Sequence, residues 1–248
     1  MTHVLETNKI KRLRLFAFPY AGGSSNIYYE WKSFLPDEVD FCPVELPGRG
    51  RRLTEPLCRD MSCLVDDVHE QVKGQLDLPF AFFGYSMGAL LAYELAGRLR
   101  KQGRIPVALF VAASRAPHLS RQIPDTGDLS DEALIERLRE LNGTPKEVWQ
   151  NQELLEFVLP ILRADFSVVS HYTYKPESPL SCPVVAFGGE LDPDVSEDAL
   201  IAWKQHSDCS FRHYVFPGDH FFIQTSKDEL LSTFCQELQR VIQEKVNL

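Results

Sequence analysis

The run Phe80-Ala81-Phe82-Phe83-Gly84-Tyr85-Ser86-Met87-Gly88 joins four residues of buried-strand character to a Gly-x-Ser-x-Gly turn. Beyond it, Leu90, Leu91, Leu95 and Leu99 recur at helical spacing before Gly103. A serine set between a strand and a helix in this motif is the pattern of a nucleophile elbow. The turn is sharp enough to strain the serine backbone, and the flanking glycines leave room for strand and helix to approach closely. Ser86 is thereby lifted to the carboxyl end of a sheet, with a helix N-terminus and the Met87 amide beneath it. Without that strand and helix, Gly-x-Ser-x-Gly alone is a weak signal.

Outward from this turn, the residues around it repeat the same alternation. Five further runs (13–18, 39–46, 107–113, 183–187 and 211–216) have the apolar, β-branched or aromatic character of buried strands. Several are apolar almost throughout, as strands are when both faces of a parallel sheet are covered. Between them lie helical patterns: Leu64, Val65, Val68, Val72 and Leu76 after Met61-Ser62, and Leu230, Leu231, Phe234, Leu238, Val241 and Ile242 near the end. Alternating strands and helices predict an α/β fold with a mostly parallel central sheet flanked by helices.

One segment interrupts the alternation. Residues 115–176 carry no strand signal but good helix signals. Ser130 can cap a helix bearing Leu134, Ile135, Leu138 and Leu141 that stops at Asn142-Gly143. Thr144-Pro145-Lys146-Glu147 reads as a capping box with proline at the first helical position. A third helix runs from Asn151 through Phe157 and Ile161 toward Tyr172, with a kink expected at Pro160. About sixty residues are too many for an ordinary loop. Residues 1–114 and 177–248 are therefore expected to form the core, and 115–176 a helical insertion: either a structural subdomain or a lid over a site.

The chain has 248 residues, 44% of them hydrophobic, with 26 Lys+Arg against 35 Asp+Glu and a net charge of −9. The acidic balance and the absence of a basic stripe exclude a nucleic-acid partner. No stretch approaches the roughly 20 apolar residues of a membrane span. Met1-Thr2-His3-Val4-Leu5-Glu6 lacks a signal-peptide pattern, so a cytoplasmic location is expected. Cys42, Cys58, Cys63, Cys182, Cys209 and Cys235 show no metal-ligand spacing and are read as free, mostly buried thiols.

A serine nucleophile needs a base to take its proton and an acid to orient that base. In this fold the order is Ser, then Asp or Glu, then His. The strand at 183–187 runs into Gly188-Gly189-Glu190-Leu191-Asp192-Pro193, and the strand at 211–216 into Pro217-Gly218-Asp219-His220-Phe221-Phe222. Asp192 and His220 both follow strand ends. Among the acid's neighbours Glu190, Asp194 and Asp198 compete, while Asp219 reads as a turn residue beside the base. Of the seven histidines only His220 follows a strand end after the acid. An oxyanion hole needs two backbone donors. Met87 N–H follows the nucleophile, and the second should come from Pro19-Tyr20-Ala21-Gly22-Gly23-Ser24-Ser25. That loop lacks the Gly-x-x-x-x-Gly-Lys pattern of a phosphate cradle.

These residues resemble the free-standing type II thioesterases of polyketide and nonribosomal peptide synthesis, within the α/β-hydrolases. The resemblance rests on Phe18-Pro19-Tyr20-Ala21-Gly22-Gly23-Ser24, Glu45-Leu46-Pro47-Gly48-Arg49, the Ser86 turn and Ser114-Arg115-Ala116-Pro117. It continues through Leu159-Pro160-Ile161-Leu162-Arg163-Ala164-Asp165-Phe166 to the Asp192 and His220 loops, covering nearly the whole chain in the family's order. It implies an α/β-hydrolase fold with a mobile helical lid, a Ser86-Asp192-His220 triad, and Ala21 and Met87 amides as the oxyanion hole. It also implies no cofactor, and a substrate acyl group on the phosphopantetheine arm of an acyl or peptidyl carrier protein met in trans. Hydrolysis would clear mis-primed or stalled units. Tyr85 stands where the family usually has His, Gly50 where Glu is common, and Ser170 where Glu is expected.

The first strand begins near Leu13, so no carrier domain is expected upstream, and the protein is read as a separate monomer. Carriers are usually acidic, so bulk charge does not steer the encounter. Arg49, Arg51 and Arg52 could form a local basic patch or a solvated loop. Two rivals remain: a carboxylesterase or acyl-CoA thioesterase of the same fold acting on small acyl esters or thioesters, and a non-catalytic binding module with a hydrolase fold.

Overall fold

The computed structural model describes residues 10–120, 130–140 and 150–246. Six strands form one sheet: β1 (Leu13–Phe18), β2 (Val39–Pro43), β3 (Phe80–Tyr85), β4 (Ala108–Ala112), β5 (Val184–Gly189) and β6 (Phe211–Phe216). Their order is β2-β1-β3-β4-β5-β6 and every pairing is parallel. β2 is shorter than the 39–46 run. Val44 N–H still bonds the Ala17 carbonyl at 2.9 Å, after which the chain leaves the sheet toward the carboxyl end of β1.

Side chains alternate between two buried layers, which explains the continuous apolar runs. Phe16, Phe18, Phe82, Leu109 and Val111 pack under α1 (Met61–Val72) and α2 (Met87–Arg100). Leu13, Leu15, Phe83, Phe110 and Phe187 face the other way, against Tyr28 and Trp31 of a 3-10 segment (Ser25–Ser33) and against the last helix, Lys227–Val241. Edge-to-face ring pairs knit this second layer, with Trp31–Phe83 and Phe110–Phe234 centroids both 4.9 Å apart.

Among the described residues, the insertion consists of α3 (Asp131–Glu140) and α4 (Gln152–Ser170), with no strand. Ser130 Oγ accepts from Ala133 N–H as the helix-start pattern requires, and Asn151 caps α4 by accepting from Glu153 and Leu154. α4 continues through Pro160 and ends two residues short of Tyr172. Leu141, Asn142-Gly143 and Thr144-Pro145-Lys146-Glu147 lie outside the described residues. No helix among those described is long and apolar enough to cross a membrane.

The cysteines depart from expectation. Cys58 and Cys63 form a disulfide across the start of α1, with Cα atoms 5.6 Å apart. The cap that Asp60 Oδ1 makes on Cys63 N–H folds the intervening chain back on itself and brings the two sulfurs together. Of the remaining four, only Cys182 is buried.

Candidate active site

The chain passes from β1 outward to β2, then returns to place β3 on the other side of β1. Loops leaving β1 and β3 therefore diverge and open a crevice at the carboxyl end of the sheet, where open α/β sheets bind ligands. Every element of the site comes from that end.

Ser86 follows β3 with φ 54° and ψ −114°, a conformation costly for any residue with a side chain. It is held by its N–H bond to the Ala112 carbonyl at 2.8 Å. Both glycines of the motif are needed for contact. A Cβ on Gly84 would lie 2.2 Å from the Gly88 carbonyl oxygen, and one on Gly88 would lie 2.2 Å from that of Phe18. The elbow thus locks α2 against both β3 and β1.

His220 Nε2 lies 3.0 Å from Ser86 Oγ, and His220 Nδ1 lies 2.7 Å from Asp192 Oδ2. An ionised carboxylate only accepts hydrogen bonds, so it keeps the ring proton on Nδ1 and leaves the Nε2 lone pair facing the serine hydroxyl. Asp192 is fixed in turn: its Oδ1 accepts from Asp194 N–H at 2.8 Å and Val195 N–H at 3.1 Å. The acid and base loops are joined by Leu191 N–H to the Gly218 carbonyl. Asp219 makes the expected turn, accepting from Phe221 N–H. His69, His118, His171, His206 and His213 bond other groups.

Tyr85, the departure beside the nucleophile, has a local role. Its buried hydroxyl donates to the His220 carbonyl at 2.6 Å and accepts from Ile223 N–H at 3.3 Å. Burial raises its pKa well above the ordinary phenol value, which keeps it a donor. Gly50 has φ 51° and would place a Cβ 2.1 Å from Glu45 Oε2, so the Glu common there would strain the backbone and displace the Glu45 carboxylate. Ser170 Oγ bonds the Ser167 carbonyl of its own helix.

The loop after β1 carries Ala21 to the rim of a cavity of about 420 Å³, which is also lined by Ser86, Met87, His220, Phe166 and Val169. Met87, as first residue of α2, has no intrahelical acceptor for its N–H. Three acidic or basic side chains hold the rest of this loop. Glu45 accepts from Ser25 N–H and Oγ, Arg49 Nη1 donates to the Gly23 carbonyl, and Asp165 Oδ2 accepts from Gly22 N–H. Arg49 and Asp165 also pair through two bonds of 2.5 and 2.7 Å, both residues being buried. Arg49 is therefore no part of an exposed basic patch, and Arg52 is paired with Glu55 and Asp67. Glu45 and Asp165 had no role assigned from sequence. Asp165 left a trace, a lone acid on the apolar face of α4 between Leu162 and Val169.

A strained serine at an elbow, aligned with histidine and aspartate at the topological switch point, defines the chain as an α/β-hydrolase. Residues 13–238 match the thioesterase domain family. The gramicidin S biosynthesis protein GrsT of Aneurinibacillus migulanus is 42% identical, over 96% of this chain and 94% of that one. The RedJ thioesterase from the prodiginine pathway of Streptomyces coelicolor superimposes with TM-score 0.87 at 41% identity, covering 92% of this chain and 91% of that one. The type II thioesterase BorB from the borrelidin biosynthetic cluster gives TM-score 0.84 at 34% identity, over 93% and 96%. The chain belongs to the thioesterase family and is a thioester hydrolase, grouping with its type II members.

Proposed function

We propose that the protein hydrolyses acyl groups from the phosphopantetheine arm of acyl or peptidyl carrier proteins, clearing mis-primed or stalled units during polyketide or nonribosomal peptide assembly. The observation that carries the chemistry is the continuous line Ser86 Oγ, His220 Nε2, His220 Nδ1, Asp192 Oδ2, with spacings of 3.0 and 2.7 Å. His220 takes the proton of Ser86 as the hydroxyl attacks the thioester carbonyl. Negative charge gathers on the carbonyl oxygen, where Ala21 and Met87 N–H groups receive it. Collapse expels the pantetheine thiol, which receives its proton from the His220 imidazolium. Water then enters, His220 deprotonates it, and a second tetrahedral species releases the free acid and restores Ser86. Asp192 orients His220 and stabilises its charged form.

Residues 1–114 and 177–248 serve as the hydrolase core, and 115–176 as the roof of the acyl chamber, into which Phe166 and Val169 project. In this role the protein works as a cytoplasmic monomer that needs no cofactor of its own. Support for carrier-bound substrates comes from the biosynthetic setting of the relatives.

The test compares release of one acyl series from a phosphopantetheinylated carrier protein and from free coenzyme A, together with the matched oxygen ester, using Ser86→Ala as blank. Faster release from the carrier is expected, and Ser86→Ala should be silent with its fold intact. Equal or faster release from coenzyme A assigns the protein to acyl-CoA thioesterases, and preference for the oxygen ester assigns it to carboxylesterases. Turnover surviving in Ser86→Ala removes the nucleophile assignment.

A further inference from the structure

We infer that Arg49 and Asp165 are positioning residues for the oxyanion hole: their ion pair sets the peptide that aims Ala21 N–H at the reacting carbonyl. The inference rests on the roles given above to Ser86, Ala21 and Met87. Ala21 stands in a loop outside regular secondary structure, and the peptides that follow it are the ones held. Gly22 N–H donates to Asp165 Oδ2 at 2.7 Å, and the Gly23 carbonyl accepts from Arg49 Nη1 at 3.2 Å. The arginine is anchored from behind by its Nε bond to the Pro47 carbonyl at 3.3 Å. Its fork occupies both carboxylate oxygens, so the plane of Asp165 is fixed and with it the direction left for Gly22.

A second contact presses on the same peptide. Gly22 has φ 79°, and a Cβ there would lie 2.3 Å from Leu162 Cδ2, one helical turn before Asp165 on α4. Loop and helix thus meet through a hydrogen bond and a close apolar contact. Replacing a buried ion pair by apolar residues is often neutral for stability, so stability alone does not account for a charged pair here. Geometry does: misplacement of a catalytic donor by about an ångström costs on the order of 100-fold. Because Asp165 belongs to the roof, α4 cannot lift at this point without releasing the Gly22 peptide. An opened chamber therefore lacks an aimed donor, which couples enclosure of the acyl chain to attack on it.

The experiment uses the full chain in two variants. Asp165→Asn keeps the size of the side chain but breaks the fork. The double substitution Arg49→Met with Asp165→Leu fills the space with apolar groups and leaves Gly22 N–H without its acceptor. Three quantities are read: kcat and KM on a short acyl thioester, Ki for an acyl trifluoromethyl ketone that adds to Ser86 and places an oxyanion in the hole, and Tm. In both variants kcat/KM should fall about 10- to 100-fold, short of the 100- to 1,000-fold that follows outright loss of a donor. The ketone's Ki should rise by the same factor while KM changes little. A folded double variant with wild-type kcat and Ki overturns the inference, because a merely structural pair is rescued by apolar packing. Loss of kcat without a change in Ki overturns it too. If Asp165→Asn fails to fold, the double variant decides alone. Ser86→Ala separates the two levels: turnover there removes the nucleophile and this inference together, whereas a silent Ser86→Ala beside an unaffected double variant removes this inference only.

Discussion

Asp192 shows how little freedom the base has. Its Oδ1 is occupied by the N–H groups of Asp194 and Val195, so in Asp192→Asn the amide oxygen stays with those donors and the NH2 faces His220. Nδ1 must then accept, the ring proton moves to Nε2, and Ser86 meets a donor instead of a lone pair. We expect kcat to drop by about 10,000-fold, the magnitude familiar from the equivalent change in serine proteases, with KM and Tm little altered. A drop of less than tenfold in steady-state assays would refute the tautomer argument. Ser86, Asp192 and His220 were legible as candidates because each lies within four residues of a strand's end, the strands announce themselves by apolar runs, and Ser86 also sits in a Gly-x-Ser-x-Gly turn. Tyr85 and Arg49 were not legible in their roles. Tyr85 serves a carbonyl 135 residues away and Arg49 a carboxylate 116 residues away, and no local pattern encodes such partners. An arginine in a Gly-rich loop reads as solvated until the helix that buries it is in place.

Among the elements, the joint where the insertion leaves and rejoins the core is built on a histidine pair. His118, just after β4, lies with Nδ1 2.8 Å from His206 Nε2, and His206 Nδ1 lies 3.1 Å from the Tyr93 hydroxyl of α2. The ring of Tyr174, on the returning chain, stands edge-on to His206 at 5.6 Å. Burial, followed by the charge of His118, lowers the His206 pKa to about 4. The unfolded chain protonates this group near pH 6.5, so between about 6.5 and 4 it binds a proton that the folded chain refuses. Stability is therefore full above that window and falls as pH drops through it, by up to about 1.4 kcal/mol per pH unit. Thermal melts from pH 7 to pH 5 should show a steeper loss of Tm in the wild type than in His206→Gln. Parallel slopes would show that His206 titrates normally. The sequence revealed all six strands and the longer helices, because apolar runs and helical periodicity are local, but not the short helical segments Ser25–Ser33 and Glu197–Ile201, which carry no such repeat. It concealed the Cys58–Cys63 bridge, because a five-residue separation carries no pairing motif and the size of the core says nothing about a local loop closure.

For the molecule as a whole, the helical insertion is fastened to the core at one end. Val168 and Val169 belong to the buried layer beneath α1 and α2, Tyr172 donates to Glu94 at 2.5 Å, and Asp165 is paired with Arg49. The amino-terminal half of α4 instead exposes Leu154 and Phe157, so adjustment to different acyl chains is expected there and not near the oxyanion loop. The same ion pairs bear on how the protein would meet the acidic carrier of the proposed function. Of Arg49, Arg51 and Arg52 in the loop after β2, Arg49 is buried against Asp165 and Arg52 is shared between Glu55 and Asp67, so exposed Arg51 is the one of the three left to offset a net charge of −9. One exposed arginine is small against that net charge, so long-range forces between this chain and an acidic carrier are expected to be repulsive, and salt screens them over a Debye length of roughly 10 Å at 0.1 M. Raising ionic strength from about 20 to 200 mM should thus leave kcat/KM for a carrier-bound acyl group unchanged or raise it. An uncharged acyl thioester of N-acetylcysteamine should show no trend. If kcat/KM for the carrier instead falls steeply with salt while the small substrate stays flat, attraction dominates the encounter, and a basic docking patch elsewhere on the surface must outweigh the net charge.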